Sequence, residues 1–284
     1  MFWEEKEFSK EIILSTQYQE DVYSNVLPQY LWPIMSGGWH QFCPYNNLVK
    51  VYECIDGKTI DESPLYDKNN PYENRDPRLD YTIFISDRTK FKGQIFISRP
   101  GSGSVDDFTK YNYNGYSIKK FCDENYNGNL MNSGCNWTLI RYAEVLLSYL
   151  ESMLESGAAI DQALLNSTIN KVRGRQAVQM PPVTITDQNK LREIVRRERR
   201  VEFAFEGLRY YDILRWGIAA DELNGTFTGM KLTNDPANYT SYKVDDEGYY
   251  IFETKKFKKG THELWPIPLS EMQINKNLVQ NAGY

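Results

Sequence analysis

The chain has 284 residues, of which 41% are hydrophobic and 25% charged, a composition that supports a full buried core and excludes a disordered polymer. Its net charge of −5 leaves no basic footprint for nucleic acid, because the densest arginine run is interleaved with Glu193, Glu198, Glu202 and Glu206. No apolar run approaches the ~18 residues of a membrane span, and Met1–Glu7 lacks the basic start and apolar middle of a signal peptide. Any export signal is expected outside this sequence.

Residues 1–136 are rich in Tyr, Asn, Gly, Asp and Pro, with short apolar alternations at Tyr81–Ile85 and Gln94–Ile97, which predicts loops and short strands. Aromatic residues make 14% of the chain, and tyrosine concentrates in its polar, loop-like stretches. A flat ring offers its face to the C–H side of a sugar while nearby amides and hydroxyls bond the sugar hydroxyls. The run from Tyr30 to Asn47 has that character, and Gly37-Gly38 permits a backbone that displays Trp39 and His40 on a loop. Tyr30, Trp32, Trp39, His40 and Tyr45 are the candidate ligand residues, against the competing reading that each is a partly buried core side chain. Tyr111-Asn112-Tyr113-Asn114-Gly115-Tyr116 is a second tyrosine-rich stretch, which stays outside that candidate set.

Asn74-Arg75-Asp76-Pro77-Arg78 reads as a turn stapled by ion pairs. Gly101-Ser102-Gly103-Ser104 lacks the lysine and helix of a phosphate-binding loop and reads as a flexible connection. Cys43, Cys54, Cys122 and Cys135 are spaced too widely for a zinc ribbon or redox pair, and there are only two histidines, so neither a metal nor any other cofactor is implied. Disulfides Cys43–Cys54 and Cys122–Cys135 and buried free thiols stand as equal alternatives.

Residues 137–220 carry four apolar-periodic segments that finish at Gly157, Gly174, Gly207 and Gly217, each predicting a helix with a left-handed C-cap. In the first, Ala143, Leu146, Leu147, Leu150, Met153 and Leu154 share one face; in the second, Ala163, Leu164, Ile169 and Val172 do so less cleanly. Pro181-Pro182 predicts an extended connection over 178–186, with Asp187 the N-cap of a long third helix. Two helical hairpins result. On the third helix Glu193 and Arg197 are spaced i,i+4 and Arg199 and Glu202 i,i+3. The arginines fit either as forks for an anionic ligand or, the favoured reading, as ties to neighbouring segments that include Asp76 and Asp212. Residues 221–284 read as irregular, with a strand at Tyr249–Phe252 and an extended Trp265–Pro268.

A Ser-His-Asp centre would need His40 or His262 as its base, and no Gly-x-Ser-x-Gly elbow occurs. Thirty-eight scattered acids do not reveal a facing carboxylate pair for glycoside hydrolysis.

The stretch from Arg196 to Gly217, with Phe205-Glu206-Gly207-Leu208-Arg209-Tyr210-Tyr211-Asp212 inside it, is the most distinctive in the chain. Together with Asn74–Leu79, with Leu264-Trp265-Pro266-Ile267-Pro268, and with Glu271, Asn275 and Gln280–Tyr284, it resembles the SusD/RagB family of outer-membrane nutrient-binding lipoproteins. The resemblance runs from Glu11 to Tyr284. It implies a mainly α, SusD-like fold of tetratricopeptide-type helical hairpins with long irregular loops and a few short strands, although no clean 34-residue repeat is visible. It also implies that the chain is the C-terminal part of such a protein, because family members are commonly about twice this long.

By the same resemblance the function is non-catalytic capture of an oligosaccharide at the cell surface and its delivery to a SusC-like TonB-dependent outer-membrane transporter. Peptide or glycoprotein-derived nutrients are the alternative ligand, and a glycoside hydrolase is a weaker alternative. The lipid anchor of the family is expected only in the full-length protein. Sugar-contacting residues of the family lie on variable loops, many of them in the N-terminal half, and Tyr116 with Lys119-Lys120-Phe121 matches a structural segment.

Overall fold

The computed structural model describes residues 8–284; Met1–Glu7, read above as unlike a signal peptide, lies outside the described residues. The loop-rich first part contains β1 (Ile12–Thr16), α1 (Leu27–Leu31), α2 (Asn46–Val49), α3 (Arg78–Thr82), β2 (Ile83–Phe84), β3 (Lys90–Phe91), β4 (Gln94–Ile95), β5 (Ser117–Ile118) and β6 (Trp137–Arg141). A helical block follows: α4 (Tyr142–Glu155), α5 (Gln162–Ser167), α6 (Ile169–Arg173), α7 (Gln188–Glu202), α8 (Arg209–Arg215) and α9 (Ala219–Leu223). The chain closes with β7 (Gly225–Lys231), β8 (Tyr249–Lys255) and α10 (Leu269–Ile274). Helix takes 29% of the chain and strand 14%, so regular structure is mainly α while turns and loops hold the majority. Among the described residues no helix is long and apolar enough to cross a membrane.

The helical block forms where the apolar spacing predicted it. Leu147, Leu150 and Leu154 of α4 meet Leu165, Ile169 and Val172 of the second segment and Leu191 and Val195 of α7 in one buried cluster. Each fully buried side chain of this size contributes about 1.5–3 kcal/mol. Asp187 caps α7 by accepting the Lys190 N–H at 3.0 Å. Gly157 and Gly217, directly after the caps of α4 and α8, hold φ of 75° and 69°, the left-handed region that a C-terminal turn requires; Gly207 has φ 86° but lies beyond the end of α7.

Several local expectations are corrected. Gly174 ends α6 with φ −83°, in the right-handed half of the map. The second segment is two short helices, broken at Thr168, whose hydroxyl turns back to the Leu164 carbonyl at 2.6 Å. The first helix begins at Tyr142, because Trp137–Arg141 pairs antiparallel with Ile12–Thr16. Tyr81 and Thr82 are helical: Asp76 accepts the Arg78 and Leu79 amides at 2.9 Å, and this Asp-Pro turn starts α3 one turn ahead of a two-residue strand. The third helix stops at Glu202, short of Gly207, and Phe205 takes a positive φ of 66°. Neither Cys43–Cys54 nor Cys122–Cys135 is bridged, and Cys54 and Cys122 are buried thiols.

The charges of α7 do not pair along the helix. Arg197 bonds Glu53 at 2.8 Å, Arg199 bonds Asp212 of α8 at 3.0 Å, and Glu202 receives Arg78 at 2.9 Å, Arg141 at 2.6 Å and Arg175. Arg78 also holds Asp76 and Glu198, so the Asn74–Arg78 turn is stapled to α7 through buried ions. Arg75 spends its guanidinium on the Pro71, Val49 and Tyr52 carbonyls. The arginines of the signature stretch therefore knit the helices to the loop-rich part, and α7 joins α8 through the Arg199–Asp212 pair.

Candidate functional site

The loop after α1 folds back on that helix. Trp39 N–H donates to the Gln29 carbonyl at 2.6 Å, His40 N–H to Trp32 at 3.0 Å and Gln41 N–H to Tyr30 at 2.8 Å. Gly38 permits this close return: a Cβ there would lie 2.1 Å from the Trp32 carbonyl oxygen. Side chains leave the folded loop in opposite directions. Trp39 is 41% exposed, with the half-buried Tyr30 ring edge-on to it at 5.1 Å and 86°. Trp32 and His40 are buried, contrary to the expectation that the loop displays His40. Trp32 packs edge-on against Phe91 at 5.4 Å in a core cluster with Phe84 and Phe96.

His40 sits at a positive φ of 50°, and this turns its ring inward. Its Nε2 donates to the Tyr116 carbonyl at 2.8 Å, and its Nδ1 lies 3.7 Å from Asp106, an ion-pair distance. Burial opposes the charge of this imidazole, yet the Asp106 carboxylate and the neighbouring Cys43 raise its pKa to about 9. Asp106 is itself fixed by the Ile34 and Met35 amides at 2.7 and 2.9 Å. The pair underpins the loop from beneath: the Tyr113 ring lies 4.2 Å from that of His40, and the Tyr113 hydroxyl donates to the Trp39 carbonyl at 2.7 Å.

Tyr111 stacks on Tyr113 at 5.1 Å and is exposed, so the second tyrosine-rich stretch supplies rings to the same surface as Trp39. Tyr111 and Tyr113, from the stretch weighed second and left outside the candidate set, and the exposed Phe42 all face the cavity described next; tyrosine density was the signal for the first two. Tyr45 is half-buried, its ring 4.9 Å from Phe227 and its hydroxyl bonded to Glu253. A cavity of about 940 Å³ opens among Gln41, Phe42, Cys43, Tyr45, Tyr111, Asn112 and Tyr113, with Phe252 alongside. Its floor is apolar, formed by Leu27 and Leu31 of α1 with Ile118, Phe121, Trp137 and Phe205. That size lies in the range of small-ligand pockets, roughly 300–1,000 Å³. Of the five candidates Tyr45 alone lines this cavity; Trp39 is tied to its lining through the Tyr113 hydroxyl bond to the Trp39 carbonyl, Tyr30 packs on Trp39, and Trp32 and His40 are buried. Among the described residues no group of three or more His, Cys, Asp and Glu is placed to hold a metal ion.

The SusD family model matches residues 8–284. The chain belongs to the SusD family. The SusD-like protein P2 of Formosa agariphila is 31% identical over 159 residues, covering 54% of this chain and 26% of that protein. A SusD-like carbohydrate-binding protein of Bacteroides fragilis superposes with a TM-score of 0.85 at 37% identity, over 95% of this chain and 54% of that one. A second SusD-like protein of the same species gives 0.75 at 27% identity, over 99% and 56%. The chain spans about half the length of these solved relatives. The SusD-like, mainly α architecture read from the Arg196–Gly217 stretch and the closing Trp-Pro-Ile-Pro block is therefore the observed one.

Proposed function

We propose that this chain is a carbohydrate-binding unit of a cell-surface nutrient-capture protein, one that takes up oligosaccharide and passes it to a SusC-like TonB-dependent transporter of the outer membrane. The observation that carries the reading is the set of rings Phe42, Tyr45, Tyr111 and Tyr113 around one open cavity, with the exposed Gln41 and Asn112 in the same lining. Rings serve as platforms for sugar faces, and amides and phenols serve the sugar hydroxyls. Similarity to a Bacteroides protein described as carbohydrate-binding supports it. The proposed role is binding without turnover, supported by the description of the Bacteroides fragilis neighbour as carbohydrate-binding.

The apolar floor of Leu27, Leu31, Ile118 and Phe205 favours a second reading, capture of peptide or glycopeptide fragments by the same surface. Calorimetric titration separates the two. Glycan capture predicts heat with oligosaccharides, weakened by Trp39→Ala and Tyr111→Ala while the melting temperature holds. Peptide capture predicts heat with peptides alone. Delivery to a transporter predicts co-purification of the native membrane protein with an outer-membrane barrel, and recovery as a free monomer would refute that step.

A further inference from the structure

The cavity lined by Tyr45, Tyr111 and Tyr113 is open, large and aromatic, yet among the described residues none of its lining side chains carries a formal charge. Its polar side-chain groups are the Gln41 and Asn112 amides, the Cys43 thiol, the Trp137 indole N–H and the phenols of Tyr45, Tyr111 and Tyr113. In a chain with 33 Lys and Arg and 38 Asp and Glu, that exclusion needs a physical account.

The charges nearest the site are already engaged. Asp106 and His40 form a pair that is fully buried beneath Tyr113, and the Asp106 oxygens also take two backbone amides. On the Tyr45 side, Glu253 accepts the Tyr45 hydroxyl and pairs with Lys255 at 3.2 Å. The Lys255 ammonium lies over the Tyr45 ring at 4.7 Å and the Phe227 ring at 5.2 Å, so its positive charge is held by aromatic faces and a carboxylate. Arg197, Arg199 and Arg200 of α7, which could make bidentate forks, are spent on Glu53, Asp212 and Glu222. A uronate or sulfate entering the cavity would give up water and find no guanidinium or ammonium among the described lining residues to replace it, and Lys255 at the Tyr45 edge is already paired with Glu253. A neutral sugar loses only hydroxyl hydration, which amides and phenols restore.

Resting on the glycan reading above, we propose that this site selects neutral oligosaccharides and rejects those bearing uronate or sulfate groups. Selectivity arises from the absence of a charge partner as much as from the contacts made to the accepted ligand.

The test is calorimetric titration of the 284-residue chain with neutral gluco-, manno-, galacto- and xylo-oligosaccharides and with uronic-acid and sulfated oligosaccharides of matched length, each at low and high salt. At least one neutral class is expected to bind with an affinity that salt leaves unchanged, because no ion pair is formed. The acidic counterparts are expected to bind more than about tenfold weaker, the least that one uncompensated buried charge implies. Lys255→Gln, outside the lining, is expected to leave neutral binding as it is. Equal or tighter binding of an acidic oligosaccharide, lost at high salt or with Lys255→Gln, overturns the inference and leaves glycan capture standing. Silence toward both classes overturns the glycan reading and this inference with it.

Discussion

Glu202→Gln measures how much the ion network of α7 stabilises this fold. Glu202 is 4% exposed and receives Arg78 at 2.9 Å, Arg141 at 2.6 Å and Arg175. Burial opposes its ionisation, but Arg141, Arg175 and Arg78 outweigh that and hold it well below the usual carboxylate range. Glutamine matches glutamate in shape, so the substitution leaves no cavity; it removes the charge and turns one of the two accepting oxygens, each bonded by arginine, into a donor. Breaking a buried pair costs about 3–5 kcal/mol. Arg78 keeps Asp76 and Glu198, and Arg141 keeps Glu206, which places the loss at the low end, about 3 kcal/mol.

For a domain of this size that is a fall in melting temperature of roughly 6–12 °C. A depressed carboxylate stabilises above its unfolded pKa of about 4.3 and loses that contribution as pH falls through the folded value. The gap between parent and variant should therefore be constant near neutrality and close in acid. Urea unfolding at neutral pH and below pH 4 reads both limbs. A loss under about 1 kcal/mol at pH 7, or a gap that widens in acid, refutes the reasoning. Glu155→Gln is the control: its partner Arg192 is solvent-facing, so the cost stays below about 1 kcal/mol.

His40 gives the opposite pH sign. Its folded pKa of about 9 stands above its unfolded value near 6.5, so its contribution is complete below the lower figure and lost as pH rises through the upper one. That contribution is on the order of 3 kcal/mol, and His40→Gln should flatten the decline in stability from neutral to alkaline pH; an unchanged slope would sink the assignment. Gly38→Ala forces a Cβ to within 2.1 Å of the Trp32 carbonyl and should cost about 1–3 kcal/mol, with altered Trp39 fluorescence. Trp32→Ala should cost about 3–5 kcal/mol, because that ring is buried in the aromatic core. Trp39→Ala should stay within roughly 1 kcal/mol, and equal losses at the two tryptophans would contradict their opposite orientations.

Short-range physics was legible in the sequence of this chain. The apolar stripe of α4, the Asp187 cap, the left-handed Gly157 and Gly217 and the Asp-Pro turn each depend on residues a few positions apart, and each formed in the structure. The family was legible for a related reason, since charge and apolar positions from Arg196 to Gly217 are constrained together by one buried network. What tertiary structure decided was partner and side. Glu193 and Arg197 have helical spacing, but Arg197 reaches Glu53, a buried acid remote in sequence that it shares with Arg173. Trp137–Arg141 became a strand only because Ile12–Thr16, remote in sequence, lies beside it. A loop has no period to say which rings point inward, so Trp32 and His40 went to the core and Trp39 to solvent. Tyr113 reaches Trp39 across 74 positions, a distance at which local pattern carries no information and only the packed chain sets the geometry.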